Sequence, residues 1–305
     1  MRLRSLLFVP GDRPDRMTKA AASGADALIL DLEDSVAPPR KEAARGAVAA
    51  FLAQTCLGEG RGPESHAPTA GPRHPPGHAR PLPLFIRINP LDSGLADDDL
   101  AAILPHRPDG IVLPKAEGAA SLKALDSKLD WAGADGCVIL PIATETAAAM
   151  FQLGSYGGVT NRLAGLTWGA EDLPAAIGAA SSREPDGHYT APYQLARSLT
   201  LFGAAAAGVA AIETVWPAFR DLDGLAAYAA RGRRDGFTGM MVIHPAQVAV
   251  INAAFTPSAE EVAHARAVIA AFAAAPEAGA LALDGRMIDR PHLLQAQRIV
   301  ALAGG

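Results

Sequence analysis

Three residues carry side chains that could do chemistry together: Arg87 in FIRIN, Glu145 in IATETAAAM and Asp172 in WGAEDL. Two carboxylates leave most of a hard cation's coordination sphere to water or to substrate oxygens, an arrangement that suits Mg2+. Such an ion could polarise the carbonyl of a 2-oxo acid and stabilise an enolate on the adjacent carbon. An arginine beside it could hold the acid's carboxylate by a forked pair of hydrogen bonds. Each residue also has a plainer reading. Glu145 could be an acid stabilised by the dipole at a helix start, Asp172 could be the N-cap of the next turn, and Arg87 could be an ion-pair partner of Asp31 or Glu33. Those two acids, with Asp34, crowd into ILDLEDSVAPPRKEAAR.

For these side chains to meet, the chain must bring several strand ends to one place. Short apolar runs at 5–9, 27–31, 84–88, 110–113, 137–142, 163–168, 209–212 and 240–243 read as strands. Most lack a polar–apolar alternation, as expected when helices cover both faces of a sheet. Helical patterns occupy 14–22, 41–54, 97–104, 119–129, 145–153, 193–207 and 222–233. About eight β-α repeats predict an α/β fold, a (β/α)8 TIM barrel with its site at the C-terminal ends of the strands. An open doubly wound sheet shares the alternation. However, no G-x-G-x-x-G follows the first strand, and the spacing of Gly203 and Gly208 lacks the Lys and Ser/Thr of a phosphate loop.

The barrel is expected over 1–250 and a C-terminal helical extension over 251–305. Ser258 and Glu261 form a capping-box pair opening a helix to about residue 275. LDGRMIDRPHLLQAQRIV then reads as a loop and a terminal helix, an appendage that covers the barrel or reaches a neighbouring subunit. Residues 57–83 are rich in Gly, Pro and His without an apolar period, and are expected to be an exposed flexible insertion whose His66, His74 and His78 are solvated.

The 305 residues are 50% hydrophobic, with a net charge of −5. That is enough apolar content for a full core, and it lacks the basic footprint of a nucleic-acid binder. Two cysteines make no disulfide framework, which fits a reduced cytoplasmic setting. No apolar stretch is long enough for a bilayer, and Leu6-Leu7-Phe8-Val9 is too short for a signal-peptide core.

The motifs RSLLFVPGDRPDRMTKA, GADALILDLEDSVAPPRKEAAR, FIRIN, GIVLPKAE, IATETAAAM, GLTWGAEDLPAAIG, GFTGMMVIHPAQVAVIN, FTPSAEEVAHA and DGRMIDRP follow one another nearly end to end. In these the chain resembles the citrate lyase β-subunit-like family of CoA-ester lyases, relatives of malyl-CoA and citramalyl-CoA lyases within the HpcH/HpaI aldolase superfamily. The resemblance implies a TIM barrel, trimeric or a dimer of trimers, with Mg2+ on Glu145 and Asp172 and the oxo-acid carboxylate on Arg87. It also implies CoA phosphates near Lys19, and a catalytic proton carrier in Asp284 that reaches a neighbouring subunit's site. The implied reaction is cleavage or condensation of a 3-hydroxyacyl-CoA, such as malyl-CoA or citramalyl-CoA, giving an acyl-CoA and a 2-oxo acid. Alternatives are a citrate lyase β subunit taking a carrier-bound citryl thioester, and a metal-dependent 2-oxo acid aldolase without CoA.

Two departures accompany the resemblance. Met240 stands where many relatives carry a lysine, which is expected to remove a charge near the pore. Glu213 stands in place of an aspartate-containing version and is expected to do the same electrostatic work. Side chains alternate along a strand, so Asp31 and Glu33 should face the same way, supporting the site from behind the metal ligands, with Asp34 starting the turn.

Overall fold

Strands with no outward polar face have no side to turn to water, and here they close on themselves. The structure, a computed structural model, describes residues 2–57 and 82–304. Eight parallel strands run β1 (Ser5–Pro10), β2 (Ala27–Asp31), β3 (Leu84–Arg87), β4 (Gly110–Leu113), β5 (Val138–Pro141), β6 (Gly165–Thr167), β7 (Ala210–Glu213) and β8 (Gly239–Val242). Their order is β5-β4-β3-β2-β1-β8-β7-β6. Parallel bridges Ile139↔Leu163 and Ile142↔Thr167 join the two ends. That closure excludes the open doubly wound sheet and gives a TIM barrel.

The period of two along each strand sorts side chains into two layers. Leu6, Ala27, Ile29, Phe85, Val112, Leu140, Ile142, Ile212 and Met241 fill the barrel interior. Their neighbours Leu7, Leu28, Leu30, Ile86, Ile111, Ile139 and Val242 face outward into a larger core under the helices. Burying each such aliphatic side chain contributes roughly 1.5–3 kcal/mol, so both faces are strongly specified. Met240 belongs to the outer layer and is fully buried there. The expectation that it borders the pore is therefore corrected: the strand's alternation turns Met241 inward and Met240 away.

Glu213 is corrected for the same reason. It is fully buried, and its carboxylate accepts hydrogen bonds from Trp168 Nε1 at 2.6 Å, Arg197 Nε at 2.7 Å and the Tyr228 hydroxyl at 2.9 Å. These partners tie strands to outer helices, not to the barrel mouth.

The helices between strands are α1 (Pro14–Ala21), α2 (Lys41–Leu57), α3 (Ala96–Ile103), α4 (Ala119–Trp131), α5 (Leu173–Ile177), α6 (Ala191–Ala207), α7 (Leu222–Asp235) and α8 (Pro245–Ala254). Gly208, at the end of α6, takes the left-handed conformation (φ 69°) that closes a helix. The helix expected at 145–153 does not form. That stretch is a loop with two single 3-10 turns, Ala149–Phe151 and Leu153–Ser155, because Glu145 is drawn into the barrel mouth and cannot cap a helix.

Beyond α8, the capping box of Ser258 and Glu261 opens α9 (Ala259–Ala274) as expected. The predicted loop is a β-hairpin, β9 (Ala280–Leu283) and β10 (Arg286–Asp289), followed by α10 (Arg290–Ala303). Asp284 and Gly285 at its tip have φ of 51° and 72°, the paired positive values of a tight hairpin turn. Ala265, Val268, Phe272, Ile288 and Ala296 give this extension a small core of its own. The insertion's His66, His74 and His78 lie outside the described residues. Among the described residues, no helix is long and apolar enough to cross a membrane.

Candidate active site at the barrel mouth

Asp31 and Arg87 are register partners on β2 and β3, so both project to the interior at the C-terminal rim. Arg87 donates from Nε and Nη2 to the two Asp31 oxygens, each at 2.7 Å. Asp31 also accepts the backbone N–H groups of Glu33 at 2.9 Å and Ser35 at 3.1 Å. Burial opposes its ionisation, but these donors, Arg87 foremost, outweigh burial and hold its carboxyl below the usual range. The Arg87 guanidinium lies over the Phe8 ring, 4.9 Å from its centroid. Its Nη1 stands 3.0 Å from Glu33 Oε2, an ion-pair contact without hydrogen-bond alignment.

This pairing revises how Arg87 can work. The edge formed by Nε and Nη2 is taken by Asp31. A ligand carboxylate has only the end formed by Nη1 and Nη2 to approach, where Glu33 already stands.

Glu33 turns inward like Asp31, and Leu32 between them packs outward. Burial raises the Glu33 carboxyl despite the opposing pull of Arg87 and Lys115. Lys115 is the residue that sequence reasoning passed over. It follows Pro114 at the end of β4 with φ of 49°, a left-handed conformation that costs a side-chain-bearing residue about 1–2 kcal/mol. Its backbone N–H donates to Glu145 Oε2 at 2.6 Å and its Nζ to Glu33 Oε1 at 2.7 Å, with Asp172 Oδ1 at 3.7 Å. The available signal was a lone lysine directly after a wholly apolar strand, level with the other rim residues.

Glu145 is 3% exposed. Burial first, then the charge of Asp172, push its carboxyl up to about 8. Gly169 makes room for it: a Cβ there would stand 2.6 Å from Glu145 Cγ. The Gly169 N–H donates to Thr144 Oγ1 at 3.1 Å, which ties the loop carrying Asp172 to the one carrying Glu145. Asp172 precedes α5, but its side chain makes no capping hydrogen bond, and its carboxylate faces Lys115. The plainer reading of Glu145 as a helix-start acid thus fails, while Asp172 does stand at the N-cap position of α5 but its side chain does not cap the helix.

Behind the rim, Lys41 Nζ donates to the carbonyls of Leu32 (2.7 Å) and Glu33 (2.8 Å) and to Asn89 Oδ1 (2.7 Å). The Asn89 side chain donates to Asp99 at 2.6 Å, and Asp99 accepts from Arg45 at 2.7 Å. This scaffold fixes the 31–36 turn, in which Asp34 is exposed with Oδ2 3.8 Å from Arg87 Nη1. The structure brings together Arg87, Glu145, Asp172, Asp31 and Glu33. Lys19 lies exposed in the last turn of α1 and Asp284 exposed at the hairpin tip.

The donor set fits Mg2+. Glu145 and Asp172 come from different loops and meet around Lys115, and Glu145, whose ionisation burial and then the Asp172 charge oppose, is a carboxylate that a divalent ion would favour. Among the described residues no third Asp, Glu, His or Cys joins them, which leaves the remaining positions to water and substrate oxygens.

Comparison with known proteins agrees with this architecture. The HpcH/HpaI aldolase/citrate lyase family model matches residues 4–60 and 74–245. The chain is 36% identical over 300 residues to a citrate lyase subunit beta-like protein of Mycobacterium tuberculosis, covering 98% of this chain and 94% of that protein. It is 32% identical over 316 residues to the mitochondrial citramalyl-CoA lyase of Homo sapiens, covering 98% and 85%. The crystal structure of CitE from Mycobacterium tuberculosis in complex with magnesium, acetoacetate and coenzyme A superposes with a TM-score of 0.76 at 34% identity, covering 100% of this chain and 99% of that one. With a matching family model over most of its length and the barrel-mouth carboxylates in place, the chain belongs to the HpcH/HpaI aldolase/citrate lyase family.

Proposed function

We propose that the chain is a Mg2+-dependent carbon–carbon lyase. It cleaves, or forms, a 3-hydroxyacyl-CoA with a neighbouring carboxylate, such as malyl-CoA or citramalyl-CoA, giving an acyl-CoA and a 2-oxo acid. The observation that carries this reading is Glu145 and Asp172 meeting around Lys115, beside an arginine held by Asp31. The names of its relatives, and the magnesium, acetoacetate and coenzyme A bound to one of them, support the choice of chemistry.

Glu145 and Asp172 hold the metal. When bound, Mg2+ polarises the oxygen on the carbon being attacked or released and offsets the charge that develops there. Arg87 presents its remaining N–H groups to the oxo-acid carboxylate, and Asp31 keeps that guanidinium from rotating away. Lys115 holds Glu33 and adds positive charge at the rim, where the substrate is an anion. Lys19 on α1 meets the CoA phosphates. Asp284, on the exposed hairpin turn, serves the barrel of a neighbouring subunit as proton carrier, which makes the working form a trimer or a dimer of trimers.

The test is a panel assay. Malyl-CoA, β-methylmalyl-CoA and citramalyl-CoA are offered with Mg2+ and with EDTA, and released oxo acid is trapped. Cleavage of at least one thioester, abolished by EDTA and restored by Mg2+, is expected. Metal-independent turnover, or no cleavage of any, overturns the reading.

A further inference from the structure

A cavity of about 650 Å³ lies between the segment joining α5 to α6, the loop after β7 and helix α7. None of Arg87, Lys115, Glu145 or Asp172 lines it. Its volume falls in the range of small-molecule sites, about 300–1,000 Å³. Three arginines line it: Arg183, Arg231 and Arg234. Arg231 and Arg234 are three apart on α7 and so share a face.

Two donors in the wall are unused. Arg231 Nε and Trp216 Nε1 are sealed from solvent and find no acceptor among the described residues. A buried donor without a partner costs about 1–3 kcal/mol, so a ligand acceptor that draws the Arg231 side chain toward the cavity would relieve that cost. The two acids in the lining are already engaged: Asp186 accepts the His188 N–H at 3.0 Å and Asp221 the Gly224 N–H at 2.9 Å. Neither bond neutralises a carboxylate, so three arginines against two aspartates leave the lining one net positive charge, with Arg234 also facing Asp235 at 3.4 Å.

The wall is also aromatic. Trp216 and Tyr228 have ring centroids 5.2 Å apart and inclined by 35°. Arg183 lies over Tyr189 at 3.9 Å and near Trp216 at 5.4 Å, and Arg231 lies 5.2 Å over Tyr228. Arg183 already donates to the Gly187 carbonyl at 2.9 Å and to the Tyr189 hydroxyl at 2.7 Å, so Arg231, stacked on Tyr228, is the guanidinium left to meet an oxyanion, and the rings offer stacking area.

We propose that this cavity binds a small organic oxyanion, a phosphate or carboxylate carried on a planar ring, at a site that none of the proposed metal-site residues lines. The shared chemistry is oxyanion plus ring, and two probes differing only in the oxyanion distinguish the sources. Benzoate, phenyl phosphate and inorganic phosphate are titrated calorimetrically into the full chain. At least one ring-bearing probe is expected to bind one per chain, about tenfold or more tighter than inorganic phosphate. Arg231→Met should weaken it about tenfold or more, while Asp172→Asn leaves it unchanged. Should Arg231→Met fail to fold, Arg234→Gln decides, since that side chain is 73% exposed and its loss cannot disturb the core. The proposal is overturned if neither ring-bearing probe binds, if binding ignores the arginine substitutions, or if inorganic phosphate binds equally well. It is also overturned if Arg231→Met changes only the sedimentation behaviour, which would make a second copy of the chain the occupant.

Discussion

A Cβ placed on Gly169 would stand 2.6 Å from Cγ of Glu145, so the loop that carries one proposed metal ligand has a glycine where the other ligand passes. Gly169→Ala should therefore push Glu145 out of place without touching its charge. Overpacking of this kind costs about 1–3 kcal/mol. The expected result is a modestly lowered melting temperature with Mg2+ affinity reduced about tenfold or more, read by calorimetric titration. Unchanged Mg2+ affinity would mean that Glu145 has freedom the packing denies it.

Asp172→Asn tests the other ligand. The Asp172 side chain is 31% exposed and makes no capping bond, so the fold should lose less than about 1 kcal/mol. Mg2+-dependent turnover should fall about a hundredfold or more, because a neutral amide is a weak ligand for a hard cation. A fully active variant removes Asp172 from the metal site.

Glu145 links the site to pH. Its carboxyl is raised in the fold, from an ordinary value near 4.5 to about 8. Between those values the unfolded chain gives up a proton that the metal-free fold retains, so stability falls as pH rises across that window and levels off above it. Glu145→Gln removes the penalty. In EDTA at pH 8.5 or so the variant should be more stable than the parent by an amount on the order of a few kcal/mol, with the gap closing toward pH 4. Urea unfolding at a series of pH values checks this, and a gap that stays constant with pH contradicts it.

Asp31→Asn probes the support of Arg87. Asp31 is 1% exposed and the arginine side chain 12%, so the substitution leaves a buried guanidinium poorly paired, at a cost of about 3–5 kcal/mol. The sign of the pH effect is opposite to that of Glu145. The Asp31 carboxyl is lowered in the fold, so its stabilisation is complete above the unfolded value and is lost as pH falls through the folded one. The parent and variant should converge in acid and separate toward neutrality in denaturant titrations.

Much of the fold was legible because unbroken apolar strands and periodic helices report their own burial. The strand at 27–31 and the strand at 110–113 match β2 and β4 residue for residue. The same alternation correctly put Asp31 and Glu33 on one face. It also holds the information that Met240 and Glu213 point outward, but a motif match shows only which residue stands at a position, not which way it faces. The helix expected at 145–153 failed because the propensity of its alanines is weak beside the pull of a long-range contact on Glu145.

By itself, then, the sequence determined the barrel's repeating units, the capped helix after it, and the residue types at the strand ends, since these depend on local periodicity and on side-chain chemistry. Only the tertiary structure decided the electrostatics of the mouth. It committed one edge of Arg87 to Asp31, set Lys115 among Glu33, Glu145 and Asp172, and made Gly169 the space for Glu145. Those partners lie tens of residues apart in the chain, and their interaction energies exist only at distances that barrel closure creates.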